Sequence, residues 1–230
     1  MIRREVKGEA SRNYLLLVEG KNDQHVIWSL LEHYNVPALF EVKSIDGISK
    51  LSGVFQDKVI RLLEAFEVEL TTIVEGRLGM IVDADTDLSA RWQSLSDILT
   101  SFCYNSVPKN PIPGGTIIEQ DEKPIVGIWI MPDNKIPGML EDFVSFLRPR
   151  NDLLWPMVEE AVQKVKTIEE TRRFHNAYES KALIHTWLAW QKEPGKPMGQ
   201  AITARYLDAN APHAQQLIAW IRKLFALKSA

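Results

Sequence analysis

The sequence predicts an α/β protein with a mostly parallel central sheet flanked by helices, followed by an all-helical C-terminal region. Short apolar runs typical of buried strands alternate with helical patterns from residue 14 to residue 147. The run Ile125–Met131 (IVGIWIM) is continuously apolar, as expected of a central strand. Beyond Pro149 only helical patterns remain. We therefore predict an α/β domain over residues 1–149 and a helical region over residues 150–230, packed on or beside it.

The first half of the α/β domain contains three predicted strands, each followed by a helix with apolar residues three and four positions apart. The first helix is expected to be capped by Asn22 or Asp23. The second helix is broken or starts afresh near Gly53, and Leu70–Val74 is compatible with either a strand or a helix end. The strands are predicted at Tyr14–Val18, Phe40–Ser44 and Gly79–Val82, and the helices at Asn22–Tyr34, Ile48–Phe66 and from Thr86 or Asp87 to Thr100.

The second half of this domain begins with a loop rich in Pro, Gly and Asn over residues 105–115. Two strands joined by a hairpin or a short excursion are then predicted at Thr116–Glu119 and Ile125–Met131, with a helix over Met139–Leu147. Trp187, Trp190 and Trp220 in the C-terminal region are interpreted as packing anchors. Its helices are predicted at Asp152–Lys166, Ile168–Trp190, Met198–Arg205 and Ala211–Leu227.

The composition excludes several classes of protein. With 45% hydrophobic and 25% charged residues, the chain can bury a core and is not of the disordered type. The single cysteine, Cys103, excludes an intrachain disulfide and a Cys-rich zinc site. No apolar run approaches the roughly twenty residues of a membrane span, so we expect a soluble, cytoplasmic protein without a membrane partner. A net charge of −3 gives no general basic signature for nucleic acid, although a metal site is acidic until its ion binds.

Acidic residues follow two of the predicted strands at the point where each strand ends. Glu19 follows the apolar run Leu15–Val18, and Asp83 and Asp85 follow Met80–Val82. If the two strands are parallel neighbours, these carboxylates meet at one edge of the sheet and need a cation to stay ionised together. Oxygen-only ligands select Mg²⁺ or Mn²⁺, and Mg²⁺ usually bridges to phosphate oxygens. Asp87 belongs to the same acidic cluster but is also suited to cap the next helix.

Other residues are candidates for binding a phosphorylated substrate. Gly20 makes the tight exit from the first strand, and Lys21 stands at the start of a helix, where an anion is favoured. Lys181 and His185 are one helical turn apart and can line a second wall of a cleft, or they form a polar outer stripe. No GxxxxGK[ST] sequence is present, so Lys21 does not belong to a P-loop.

The segments LVEGKND (residues 17–23) and IVDADTD (residues 81–87) resemble the TOPRIM domain of topoisomerases, bacterial primases, recombination-mediator proteins and the overcoming-lysogenization-defect nucleases. The resemblance covers residues 14–147 and implies that Glu19 is a general acid or base and that Asp83 and Asp85 are Mg²⁺ ligands. The nuclease branch adds further acids near the metal, for which Glu141 and Asp142 are candidates.

Nearly the whole chain also resembles a bacterial and archaeal family of stand-alone TOPRIM-like proteins without an established function, related to those nucleases. The segment Lys181–Ile202 carries this second resemblance. The chain departs from the larger enzymes in having no catalytic tyrosine domain of the topoisomerase type, no zinc-binding or helicase-binding module of the primase type, and no nuclease-type ATPase segment.

We therefore expect a metal-dependent protein that cleaves or transfers phosphodiesters in DNA, RNA or another phosphate-containing ligand. Asp83 and Asp85 hold the metal in this hypothesis, with Glu141 or Asp142 contributing. Glu19 ligates a second ion or moves the proton, and Lys21 steadies the phosphate. The alternatives are a non-catalytic, metal-dependent binder of nucleotides or nucleic acid and a phosphatase for small phosphoesters. The number of metals and the oligomeric state are left open.

Overall fold

A computed structural model describes residues 13–45, 58–168 and 174–227. Together they form a mixed α/β protein with a five-stranded, mostly parallel central sheet flanked by helices and a helical C-terminal region, which confirms the predicted fold class. The strands are β1 (Tyr14–Val18), β2 (Glu41–Ser44), β3 (Arg77–Asp83), β4 (Thr116–Ile118) and β5 (Ile125–Met131). The helices are α1 (Lys21–His33), α2 (Lys58–Thr72), α3 (Leu88–Ser101), α4 (Leu140–Phe146), α5 (Trp155–Lys166), α6 (Glu179–Ala189), α7 (Met198–Thr203) and α8 (Pro212–Leu224).

The strand order of the sheet is β2-β1-β3-β5-β4. The pairings of β1 with β2, of β1 with β3 and of β3 with β5 are parallel, and β4 is antiparallel to β5, as the predicted hairpin requires. Val18, the last residue of β1, pairs with Ile81, so β3 continues for two residues to Asp83, which pairs with Met131. The carboxyl ends of β1, β3 and β5 therefore lie together at one edge of the sheet.

Helices cover both faces of the sheet, which explains why its central strands are apolar on both sides. Leu16 and Val18 of β1 join the core beneath α1, whereas Leu15 and Leu17 join the core beneath α2 and α3. The C-terminal helices α5, α6, α7 and α8 all contribute buried residues to the core on the α1 face. Trp187 and Trp220 are buried there, as expected of packing anchors. The same prediction was wrong for Trp190, which follows the last residue of α6 and is 42% exposed.

The end of α8 packs closely on the sheet over two glycines. Gly79 of β3 and Gly127 of β5 are paired in register, and Leu224 of α8 lies above both. A Cβ at Gly127 would lie 2.5 Å from Leu224 Cδ2, and one at Gly79 would lie 2.8 Å from the same atom. The two missing side chains therefore make the space into which the last turn of α8 fits.

Two predictions about helix starts were wrong, and the structure decides one alternative that the sequence left open. The helix predicted over Ile168–Trp190 begins only at Glu179, because His175 has an extended backbone (φ −72°, ψ 147°) and starts a 3₁₀ turn at Asn176–Tyr178. Neither Asn22 nor Asp23 is the N-cap of α1, since the helix starts at Lys21 and Gly20 occupies that position. The segment Leu70–Val74 is a helix end, because α2 continues to Thr72. The predicted helical residues 48–57 lie outside the described ranges.

No helix within residues 13–45, 58–168 and 174–227 is both long enough and apolar enough to cross a membrane.

Candidate functional site

Two of the predicted site residues meet at the sheet edge between β1 and β3. The strand order reverses here, since β2 lies on one side of β1 and β3 on the other. In open α/β sheets, ligands bind outside the carboxyl ends of the strands at such a reversal. Glu19 follows β1 directly, and its Oε1 accepts a hydrogen bond of 2.9 Å from the backbone N–H of Asp83. The parallel pairing of the two strands thus brings together acids that are 64 residues apart.

A third segment reaches the same edge through α4. The backbone N–H of Leu140, the first residue of this helix, donates a hydrogen bond of 2.9 Å to Asp83 Oδ1. The next residue, Glu141, is buried, with only 6% of its surface exposed. Because β5 ends beside Asp83 and leads through a short loop into α4, the chain returns to the site here. Of the two acids predicted in this helix, Glu141 is the one buried next to Asp83.

Sequence reasoning missed a fourth acid, Asp23, for which it foresaw only a capping role. Asp23 is in the first turn of α1 and is 8% exposed. Its Oδ2 accepts a hydrogen bond of 3.1 Å from the N–H of Gly20, which satisfies a donor at the helix start. The sequence did indicate this position, because Asp23 is four residues after Glu19. A helix that begins directly after a strand places its first turn near the end of that strand.

Burial and crowding act together on these acids. Burial first, and then the charges of Glu19, Asp23, Glu141 and Asp85, raise the pKa of Asp83 well above its usual range. Burial, the charge of Glu19 and the charge of Glu141 raise the pKa of Asp23 to about 7, against the lowering effect of its backbone hydrogen bonds. Carboxylates in a low-dielectric pocket repel one another, and a shared proton or a bound cation relieves the repulsion.

Asp85 lies at the same edge, and its carboxylate is bound by an arginine that the sequence analysis overlooked. Arg91 of α3 donates from Nη2 to Asp85 Oδ2 at 2.7 Å and from Nε to the backbone carbonyl of Asp83 at 2.8 Å. Asp85 has a positive φ of 53°, and its N–H donates to the carbonyl of Gly138. The turn after β3 is therefore held from both α3 and the loop before α4. The sequence offered one indication of the Asp85–Arg91 contact, because Arg91 is about one helical turn after the candidate cap Asp87.

Two further acids of the predicted set are hydrogen-bonded to helix starts. Asp87 caps α3, with its Oδ1 accepting from the N–H of Ala90 at 2.9 Å. Asp142 accepts from the N–H of Met139 at 2.8 Å and, through its other oxygen, from the hydroxyl of Ser180 at 2.6 Å. Asp142 thereby joins α4 to α6, and both of its carboxylate oxygens are engaged by protein donors.

The predicted substrate-binding residues fall into two groups. Lys181 of α6 approaches the acidic edge, with its Nζ 4.0 Å from Glu141 Oε1, and His185, one turn further along, is exposed. Lys21 donates to Gln24 Oε1 at 3.0 Å, and Gly20 is buried at the strand exit. The helical C-terminal region thus supplies a cation beside the acids of the sheet edge.

The chemistry of these donors fits a hard divalent cation. Glu19, Asp23, Asp83 and Glu141 provide only carboxylate oxygens, the ligand type that Mg²⁺ and Mn²⁺ prefer. Across the described ranges, however, no three acidic, histidine or cysteine side chains are already arranged as a metal-ligand set. One oxygen of Glu19 and one oxygen of Asp83 accept backbone hydrogen bonds. Ligation by these groups would therefore require side-chain adjustment.

The comparisons with known proteins define a family. No curated protein and no solved structure shows significant similarity to the chain. The model of a family described as "Protein of unknown function (DUF3226)" matches residues 13–226, which is most of the sequence. The chain therefore belongs to the DUF3226 family.

Proposed function

We propose that this protein is a cytoplasmic, divalent-metal-dependent enzyme that cleaves or transfers phosphodiesters in nucleic acid. The observation that carries the proposal is the meeting of the buried acids Glu19, Asp23 and Glu141 with the partly buried Asp83 at one sheet edge. They lie close enough to raise the pKa values of Asp23 and Asp83. Perturbed acids that gather in one place are typical of functional sites. The TOPRIM-like order of a strand followed by Glu and a later strand followed by Asp-x-Asp supports the same assignment.

Glu19, Asp83 and Glu141 would hold the cation, which when bound neutralises charge on phosphoryl oxygens and lowers the pKa of a bound water. The remaining tasks fall to side chains of the protein. Asp23, whose pKa burial and the neighbouring carboxylates raise to about 7 in the metal-free protein, is suited to accept a proton from an attacking water near neutral pH. Glu19 is held in position through the N–H of Asp83.

Cationic side chains beside the acids supply the means of binding a phosphate. Lys181 is half exposed and approaches Glu141 within 4.0 Å, so its ammonium can contact an anionic substrate at the rim of the site. Two hydrogen bonds fix the guanidinium of Arg91, from Nε to the carbonyl of Asp83 and from Nη2 to Asp85 Oδ2. Lys181 and Arg91 each contact an acid of this edge, so both cations can attract an anionic substrate towards it.

The test is a cleavage assay on plasmid, single-stranded DNA and RNA in Mg²⁺ or Mn²⁺. Asp83→Asn removes the charge but keeps the oxygen that accepts from Leu140. Asp97→Asn is the matched control, because Asp97 is an exposed acid on α3 whose Oδ1 accepts a hydrogen bond from Gln93. We expect metal-dependent cleavage by the wild type and the control, reduced at least about a hundredfold in Asp83→Asn, which is the usual scale for a general acid–base or metal-binding group. Cleavage that survives in Asp83→Asn would contradict the assignment.

A second candidate function is metal-dependent binding of nucleotides or nucleic acid without cleavage. The observation that favours it is the Asp85–Arg91 ion pair, which engages one acid that an enzyme of this type would use on the metal. If the protein binds labelled DNA or RNA without cleaving it, and if this binding needs both Mg²⁺ and Asp83, the result would support binding over catalysis.

Release of phosphate from small esters, with nucleic acid left uncleaved, would instead indicate a phosphatase.

A further inference from the structure

Arg91 of α3 binds two residues at the end of β3 with a single guanidinium. Its Nε donates to the backbone carbonyl of Asp83 at 2.8 Å, and its Nη2 donates to Asp85 Oδ2 at 2.7 Å. The side chain of Arg91 is only 16% exposed. A guanidinium carries its donors in a rigid fork, so a hydrogen bond at one nitrogen also fixes the direction of the others. Arg91 therefore holds the Asp85 carboxylate in one place relative to Asp83.

The backbone of Asp85 is fixed independently of its side chain. Its φ of 53° lies in the left-handed region, and its N–H donates to the carbonyl of Gly138 at 2.9 Å. Gly138 itself has a φ of 145°, a backbone conformation that favours glycine. The turn after β3 is thus anchored to the loop before α4. Loss of the Arg91 contact would free the carboxylate of Asp85 while this anchor stays in place.

The carboxylates of Asp83 and Asp85 are held by donors of different strength. Asp83 Oδ1 accepts a hydrogen bond from the neutral N–H of Leu140, whereas Asp85 Oδ2 accepts one from a guanidinium. Hydrogen bonds from a charged donor to a carboxylate are roughly twice as strong as those between neutral groups. Asp85 would therefore give up the stronger contact in order to ligate a metal ion.

We propose that Arg91 is a positioning residue that keeps the Asp85 carboxylate from ligating the divalent cation and so leaves a ligand position for the substrate. This role rests on the metal site proposed above, in which Glu19, Asp83 and Glu141 hold the ion. Mg²⁺ keeps several waters in its protein sites, and phosphate oxygens can replace them. A further carboxylate on the ion would remove one of these waters and would add a negative charge that repels a phosphate.

The first experiment is a calorimetric titration with Mn²⁺ of four proteins: the wild type, Asp85→Asn, Arg91→Gln and the double variant. Gln at position 91 keeps a donor near the place of Nε but lacks Nη2, which binds Asp85. We expect Asp85→Asn to weaken Mn²⁺ binding less than about threefold in the wild-type background, as for a charge outside the ligand set. In the Arg91→Gln background the same change should weaken binding at least about tenfold, the scale of a lost ligand or its support.

Comparison of Asp85→Asn within each background separates its contact with Arg91 from the general effect of the arginine charge. Asp97→Asn is the matched control in both backgrounds, because Asp97 is an exposed acid on the same helix as Arg91. It should leave Mn²⁺ affinity unchanged. Thermal unfolding without metal shows whether Arg91→Gln is folded.

The second experiment counts the waters on the bound Mn²⁺ by water-proton relaxation. We expect Arg91→Gln to keep about one water fewer than the wild type, since the freed Asp85 carboxylate takes that position on the ion. The double variant should regain the water. Asp85→Asn alone should leave the number of waters unchanged, a result that does not depend on the folding of any Arg91 variant.

Equal losses of Mn²⁺ affinity from Asp85→Asn in the two backgrounds would overturn this role of Arg91 and leave the metal site intact. An additional water in Asp85→Asn alone would do the same, because it would show that Asp85 ligates the ion in the presence of Arg91. If neither the wild type nor Arg91→Gln binds Mn²⁺, the metal site itself is refuted, and the role of Arg91 with it.

Discussion

Two opposing effects act on the pKa of the Asp23 carboxyl group. Its Oδ2 accepts the N–H of Gly20, which favours the ionised form, while burial and the neighbouring charges of Glu19 and Glu141 favour the neutral form. The second influence is the larger, and it raises the pKa of Asp23 to about 7. At neutral pH this acid therefore exchanges readily between its two forms, which is the property required of a proton acceptor.

This shift makes the stability of the metal-free protein depend on pH. The pKa of Asp23 rises from 3.8 to about 7 on folding, so between these values the folded state holds a proton that the unfolded state has released. The free energy of unfolding should therefore fall as pH rises through this range. We expect the wild type to lose a few kcal/mol more than Asp23→Asn, since one pKa unit corresponds to about 1.4 kcal/mol.

Urea unfolding in a chelator at several pH values measures this difference, with Asp97→Asn as the control for a loss of charge elsewhere. Parallel curves for the wild type and Asp23→Asn would show that Asp23 titrates as an ordinary exposed acid.

Asp83 and Asp85 share a motif but differ in their surroundings. Asp83 is partly buried and surrounded by other acids, whereas the side chain of Asp85 is 49% exposed and paired with Arg91. If the proposed metal site exists, we expect Asp83→Asn to weaken Mn²⁺ binding at least about tenfold, on the scale of a lost ligand or its support. Asp85→Asn should weaken Mn²⁺ binding less, because that carboxylate already has a partner.

Calorimetric titration with Mn²⁺ compares the two variants directly. An equal loss of affinity in both would mean that Asp85 leaves Arg91 and turns to the ion when the metal binds. Thermal unfolding without metal serves as the check that each variant is folded.

At the scale of elements, the contact of α8 with the sheet depends on the absence of two side chains. Leu224 lies above Gly79 and Gly127, and a Cβ at Gly127 would come within 2.5 Å of it. Arg77, in the first position of β3, also donates to the backbone carbonyl of Leu224. The last turn of α8 is thus fixed by both packing and a hydrogen bond.

Gly127→Ala should destabilise the protein by about 1–3 kcal/mol, the usual cost of overpacking a core. Gly114→Ala is the control, because a Cβ at Gly114 would meet nothing within 4 Å. Urea unfolding measures both variants. The double variant Leu224→Ala, Gly127→Ala should lose less stability than the sum of the two single losses, because the smaller residue at position 224 makes room for the added Cβ. Additive losses in the double variant would place the strain elsewhere.

At the scale of the whole molecule, the α/β part and the helical region share one core. Leu16, Ile81 and Trp129 of the sheet belong to the same buried cluster as Leu217 and Ile221 of α8. The helical region also reaches the acidic edge through the Ser180–Asp142 hydrogen bond and Lys181. The boundary predicted near residue 149 therefore marks a change of secondary structure within a shared core.

Because the α1 face of the sheet is covered by α8 and its neighbours, a fragment of residues 1–149 would expose that apolar face. We expect this fragment to aggregate or to lack a cooperative unfolding transition, whereas a chain ending at Leu227 should unfold cooperatively. Near-ultraviolet circular dichroism and thermal unfolding distinguish the two cases. A soluble fragment 1–149 with a sharp transition would show that the α/β part folds alone.

The sequence by itself determined the strands β1, β3 and β5, the fold class, and the arrival of Glu19 and Asp83 at the carboxyl ends of two strands. These features follow from local patterns, because a buried strand is an apolar run and the residue after it stands at the sheet edge. The strand pairing could be inferred because alternating strands and helices favour a parallel sheet.

Only the tertiary structure decided which other side chains surround that edge. The burial of Asp23 and Glu141 depends on how α1 and α4 dock, and the Asp85–Arg91 pair depends on the position of α3. Sequence patterns assigned Asp23 to a cap and left Glu141 and Asp142 equivalent, because each is simply an acid in a first helical turn. Contacts between residues far apart in the chain separate the two roles. Asp142 joins α4 to α6 through its hydrogen bond with Ser180, whereas Glu141 is buried at the acidic edge.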